Sequence, residues 1–242
     1  MKIVSNSAIP TSWWLVEKTQ PRQNILRNLK NKIWQKHKLD KVGLSMTSNY
    51  LESAIKQFEY YKLLGEKTFF QLTDEQLYWQ YNIESNSIAI IVKHLWGNML
   101  SRWTDFLTTD GEKQWRNRDV EFETEEKTRE ALLTKWNEAW TCLFDTLNKL
   151  KEEDLSKEIF IRNQGHTVIE AINRQLAHYP YHIGQIVFLG KMMCDEKWES
   201  LSISKGNSTN YNTEKFSNPK EKKHFTDEYL KKTIKNTDNN ES

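Results

Sequence analysis

The sequence predicts an all-α protein built on four long helices. Three observations carry this. Glycine (8) and proline (4) are scarce in 242 residues, which argues against a chain of short strands joined by tight turns. Four stretches place large apolar residues three and four apart, the period of a helix with one buried face. Ten Trp, ten Phe and nine Tyr supply enough apolar surface for a substantial core, although 28% of residues are charged.

The first stretch runs from about Ser48 to Gln71, with Leu51, Ile55, Phe58 and Leu63 on one side. Thr73 to Gln76, "TDEQ", has the spacing of a capping box and predicts a short helix. The second long helix begins after "SNS" near Ser87 and reaches about Leu107, with Ile88, Ile91, Leu95, Met99, Trp103 and Phe106 as its stripe. A polar loop, about Thr108 to Glu123, follows. The third helix is expected to open with Thr124 as N-cap and to run to about Leu150 through Leu132, Trp136, Trp140, Leu143 and Leu147. "EIFIRNQGHT", Glu158 to Thr167, alternates and contains turn residues, as a small hairpin would. Thr167 to Glu170, "TVIE", has capping-box spacing and opens the fourth helix, which runs to about Met193.

Charge divides the chain. Residues 1–45 carry nine Lys+Arg against two acids, whereas the remainder has 26 basic and 31 acidic residues. The remainder is therefore mildly acidic, and nucleic-acid binding is not expected of it. Residues 1–45 are expected to be a loosely attached leader or one translated upstream of a true start at Met46. A second reading makes 20–39 a basic amphipathic helix for an anionic partner. Residues 46–203 form the helical domain, and 204–242, rich in Asn, Lys, Ser and Thr, read as a mostly disordered tail with a short helix around "TDEYLKKTIK". The longest unbroken apolar run, Ile88 to Val92, is far too short to span a bilayer. Cys142 and Cys194 have no redox or metal spacing. A cytoplasmic protein is expected.

Chemistry concentrates in "HYPYHIGQ", His178 to Gln185. His178 and His182 are four apart, so they stack on one helix face, about 6 Å apart along the axis at ~1.5 Å rise per residue. Pro180 between them removes a backbone donor and could splay the rings, and Gly184 would let another helix approach. His94 borders the apolar stripe of the second helix. If that helix neighbours the fourth, the three imidazoles can converge on one ion. Spacing alone leaves open that these are core histidines that only hydrogen-bond. His37, His166 and His224 read as exposed or locally bonded.

"SNSIAIIVKHLWGNMLSRWTDFLTTDGEKQWRNRD" and "TVIEAINRQLAHYPYHIGQIVFLGK" resemble the DinB-like, YfiT-like superfamily of metal-dependent enzymes, in a branch known only as a domain of unknown function. The resemblance covers about Met46 to Ser204. It implies an up-down four-helix bundle, a three-histidine site at His94, His178 and His182, and a homodimer. It also points to transfer of a low-molecular-weight thiol to an electrophile.

Three neutral imidazoles would leave a divalent ion its full charge and open positions, a shape typical of catalytic zinc sites. Zn, Ni, Fe and Cu all suit imidazole, so the metal is not specified. No acid lies one turn from His178 or His182 on their face, which favours chemistry without a separate carboxylate base. The expected function is a metal-dependent thiol S-transferase or related detoxifying enzyme. The alternatives are a hydrolase at the same metal and a non-catalytic, stress-associated bundle. Asn98, Arg102 and Gln185 are candidate partners of the histidines. Arg116 and Arg118 are candidates to hold carboxylates of a substrate, with Trp115 covering an apolar group.

Overall fold

A computed structural model of the chain describes residues 49–122 and 127–230. The basic segment 1–45 and the cap expected at Thr124 lie outside the described residues. The described part is mostly helical, with one two-stranded sheet.

Helix α1 spans Tyr50–Phe70 and is followed by the short α2, Asp74–Tyr78. Thr73 caps α2 and Gln76 returns the bond, so the capping box forms. Helix α3 spans Ile88–Trp103, with the Ser87 hydroxyl accepting from the Ile90 amide. It ends four residues short of the predicted Leu107. Thr104 is extended there and Asp105 takes a positive φ of 48°, which an α-helix cannot continue through.

A long loop leads through a 3-10 turn, Val120–Phe122, to α4, Arg129–Leu147. Its cap is Thr128, whose hydroxyl accepts from the Ala131 amide. Strands β1 (Glu158–Ile161) and β2 (Gln164–Thr167) pair antiparallel, Glu158 opposite Thr167 and Ile161 opposite Gln164. Ile159 and Ile161 face the core, as period-two alternation requires. Helix α5, Val168–Cys194, opens on the capping box of Thr167 and Glu170 and runs through Pro180.

Four long helices share one core. α1 packs on α5, α3 on α4, and both α3–α5 and α1–α4 also touch. Phe58, Trp103, Trp136, Trp140, Tyr179, Leu143 and Ile186 are fully buried among them. α3 is buried on nearly all sides, including His94, Asn98, Ser101 and Arg102. Burying so many polar groups demands specific partners for each, and those partners build the site described below.

After Ser204 the structure places a helix, α6, at Ser208–Ser217, and packs the following residues against α1. Phe225 and Tyr229 meet Tyr60, Asp227 pairs with Lys56, Thr226 is fully buried, and His224 meets the Ser53 hydroxyl at 3.1 Å. Residues 204–230 thus hold more structure than their polar composition predicts, because two aromatics and one acid find partners on α1. No helix among the described residues is long and apolar enough to cross a membrane.

Candidate metal centre

α3 and α5 bring three histidines together. His94 comes from α3, and His178 and His182 come from successive turns of α5. One ligand atom from each lies within 4.8 Å of the others. His178 Nε2 stands 3.4 Å from His94 Nε2 and 3.1 Å from His182 Nε2.

The opposite nitrogen of each ring is engaged. His94 Nδ1 lies 3.0 Å from Glu121 Oε2, His178 Nδ1 lies 3.2 Å from Gln175 Oε1, and His182 Nδ1 lies 2.8 Å from Gln185 Oε1. A carboxylate or amide oxygen only accepts, so each Nδ1 carries the proton. Each Nε2 is then a lone pair, and the three lone pairs face one another. That arrangement repels itself unless a cation lies between them. It is also how metal-ligating histidines are oriented, by a carboxylate or carbonyl on the far nitrogen. The donor set therefore fits a metal ion, and His94, His178 and His182 could hold one.

Electrostatics point the same way. Burial, and then the neighbouring His182 and His94, hold His178 far below the ordinary histidine range, at about 3. Burial also lowers His182. Neutral imidazoles are the metal-binding form.

Glu121 is the centre's anchor, and sequence spacing missed it because it lies 27 residues from His94 on a separate turn. It is 4% exposed. Burial opposes its charge, but hydrogen bonds from His94 and Arg116 outweigh that and hold the carboxyl below its usual range. Arg116 grips both its oxygens, Nε to Oε1 at 2.7 Å and Nη2 to Oε2 at 3.0 Å. Gly97, one turn past His94, makes room for this pair: a Cβ there would come 2.8 Å from the Glu121 carboxyl carbon. Gly184 has no such role, since a Cβ there would meet nothing within 4 Å. Among the described residues no helix approaches Gly184 closely, contrary to expectation.

The network continues outward. Arg116 Nη1 reaches Glu112 at 3.4 Å, and Glu112 also meets Arg162 Nη2 at 3.2 Å. Asp110 accepts from three backbone amides, those of Glu112, Arg162 and Asn163, at 2.7, 2.8 and 2.8 Å. The loop after α3 is thereby tied to the turn between β1 and β2.

The other residues singled out from sequence fall in several places. Gln185 serves His182, as described. Asn98 lines the cleft with the histidines; its oxygen accepts from the Tyr179 hydroxyl at 3.1 Å, while His94 Nδ1 is taken by Glu121. Arg102 donates Nη1 to the Gly111 carbonyl at 2.9 Å, and its charge acts on His178 across the cleft. Arg116 is consumed by Glu121 and Glu112, so it braces His94. Arg118 and Arg102 line the cleft over the histidines, a space of about 460 Å³. Trp115 lines a different cleft, with Trp96 and Lys135, so it does not cover the histidines. Gln175, Arg162 and Arg174 also line the histidine cleft. Arg174 and Gln175 could have been found from their spacing to His178, one turn back on α5. The hairpin's contribution could not.

No curated protein and no solved structure matches the chain. A family model described as a protein of unknown function (DUF1572) matches residues 45–207. That span holds all three histidines, Glu121 and the hairpin, and the chain belongs to the DUF1572 family of proteins of unknown function.

Proposed function

We propose that this chain is a metal-dependent enzyme of DinB-like type. Its four long helices are read as an up-down bundle, with His94, His178 and His182 holding a divalent ion. The observation that carries the reading is the pairing of every far ring nitrogen with an acceptor, which leaves three lone pairs converging.

A divalent ion bound there would lower the pKa of a coordinating thiol or water. Glu121 could serve as a general base only by giving up Arg116 and His94, which occupy its oxygens. No carboxylate lines the histidine cleft among the described residues. This favours thiol chemistry over hydrolysis, because a thiol that ionises on binding needs no separate base. We read the reaction as S-transfer from a small thiol. The S–H proton leaves to solvent, a sulfur electron pair forms the new S–C bond, and the electrophile's leaving group departs with its bonding pair. The protein's part is to aim the imidazoles, through Glu121, Gln175 and Gln185.

Elemental analysis of the purified full chain should find about one divalent ion per chain, in line with a single three-histidine site. His94→Ala, His178→Ala and His182→Ala should each lose it. Thiol consumption by a model electrophile should require the metal. Equal rates for wild type and His94→Ala would overturn the enzymatic reading.

A further inference from the structure

We infer that the cleft over the histidines is a receptor for a substrate bearing two or more acidic groups, held by Arg102, Arg118, Arg162 and Arg174. The inference deepens the proposed function and rests on it for the chemistry, but not for the binding.

Five arginines line this cleft: those four and Arg116. Glu121 and Glu112 are the acids paired with any of them, through Arg116 and Arg162. Arg102, Arg118 and Arg174 have no acidic partner among the described residues. Arg102 is the telling one. It is 4% exposed, it makes one hydrogen bond, to a backbone carbonyl, and its Nε is buried without an acceptor. A buried guanidinium lacking a counter-charge is costly, and guanidinium forks match carboxylate and phosphate oxygens. Arg102 alone bears that cost; Arg118 and Arg174 are exposed, and they bring two more unpaired charges to the same cleft, an arrangement suited to receive an anion.

The hairpin adds an independent observation. Arg162 and Asn163 form its two-residue turn, with positive φ of 55° and 60°. Such turns favour Asn, Asp or Gly, so an arginine is a poor choice for the backbone. Asp110 holds the strained turn in place, and the Arg162 side chain lines the cleft. A strained residue at a cleft is best explained by what its side chain contacts.

The test is calorimetric titration of the full chain, zinc-loaded and metal-free, with succinate, inorganic phosphate, acetate and neutral succinamide. Succinate or phosphate should bind on the order of tenfold tighter than acetate, and succinamide should not bind, as charge-assisted bonds require. Whichever dianion binds more tightly identifies the acid group. Arg174→Gln should weaken the tighter dianion about threefold, and Arg162→Asn similarly, both in the metal-free protein, where the ion cannot contribute. Arg162→Asn should at the same time raise Tm, which a merely structural arginine would not do. Arg102 variants are avoided because they could fail to fold. Dianions that bind no tighter than acetate would overturn the inference, as would wild-type dianion affinity in both variants. If zinc is not taken up but the arginine-dependent binding persists, the receptor stands and the metal reading falls. If zinc binds and neither dianion does, the reverse holds.

Discussion

Helices α3 and α5 each present two faces, and the two are built on different principles. One face of α3 carries Leu95, Met99 and Trp103 into the core, and α5 meets it with Ile183, Ile186 and Tyr179. The other face carries His94 and Arg102, met by His178 and His182 at the cleft. The apolar face needs volume and close contact, which many side chains supply. The polar face needs a named partner for every atom. Trp103 shows the boundary: its indole N–H finds the Tyr179 hydroxyl at 2.9 Å, while Trp136 and Trp140 bury theirs without an acceptor. A core can tolerate an orphaned N–H within a large favourable burial. Converging imidazole lone pairs and a solitary guanidinium have no such compensation, which is why the proposed ion and anion are placed there.

The comparison breaks most visibly at the core. Trp140→Ala should cost about 3–5 kcal/mol in urea unfolding, as large aromatic truncations do. Metal stoichiometry of the chains that remain folded should stay at the wild-type value. Loss of the metal at full folding would mean that core and cleft are one unit.

A middle-sized effect is expected at Asp110, which joins the loop to the hairpin. Asp110→Ala removes the acceptor of three backbone donors, two of them exposed, and should lose about 1 kcal/mol. Burial opposes the Asp110 charge, but those backbone bonds win and hold its pKa below the ordinary value. The folded state therefore binds this proton less readily than the unfolded chain. The Asp110 contribution is full above the unfolded carboxylate pKa of about 3.9 and is lost as pH falls through the folded value. Wild type minus Asp110→Ala stability, followed by urea midpoints from pH 7 downwards, should shrink only at the acid end. A constant difference would show that the charge is irrelevant.

The smallest change in stability should come from the cleft itself. Gln185→Ala removes the acceptor on His182 Nδ1 and leaves the apolar contacts of α5 intact. Stability should move by less than about 1 kcal/mol, while metal affinity falls roughly tenfold. Competition against a zinc chelator reads the affinity. Unchanged affinity would remove Gln185 from the centre.

Much of this was legible in the primary structure. Both capping boxes, at Thr73 and Thr167, are local side-chain-to-backbone arrangements, and both form where their spacing predicts. The hairpin at 158–167 forms for the same reason. The cap of α4 fell at Thr128 because two threonines compete within five residues, and periodicity does not resolve a helix end. His178 and His182 needed only the helical repeat to be paired.

By itself, then, the order of amino acids determined the helices, their buried stripes and the stacked pair on α5, because each depends on neighbours within a turn or two. Tertiary packing alone decided that His94 would meet that pair and that Glu121 and Arg116 would brace it. It also decided that Arg162 would arrive from a hairpin turn to share a cleft with Arg102 and Arg174. These contacts join residues far apart in the chain, and they depend on which helices lie side by side and where two loops are tied together. No periodicity encodes that.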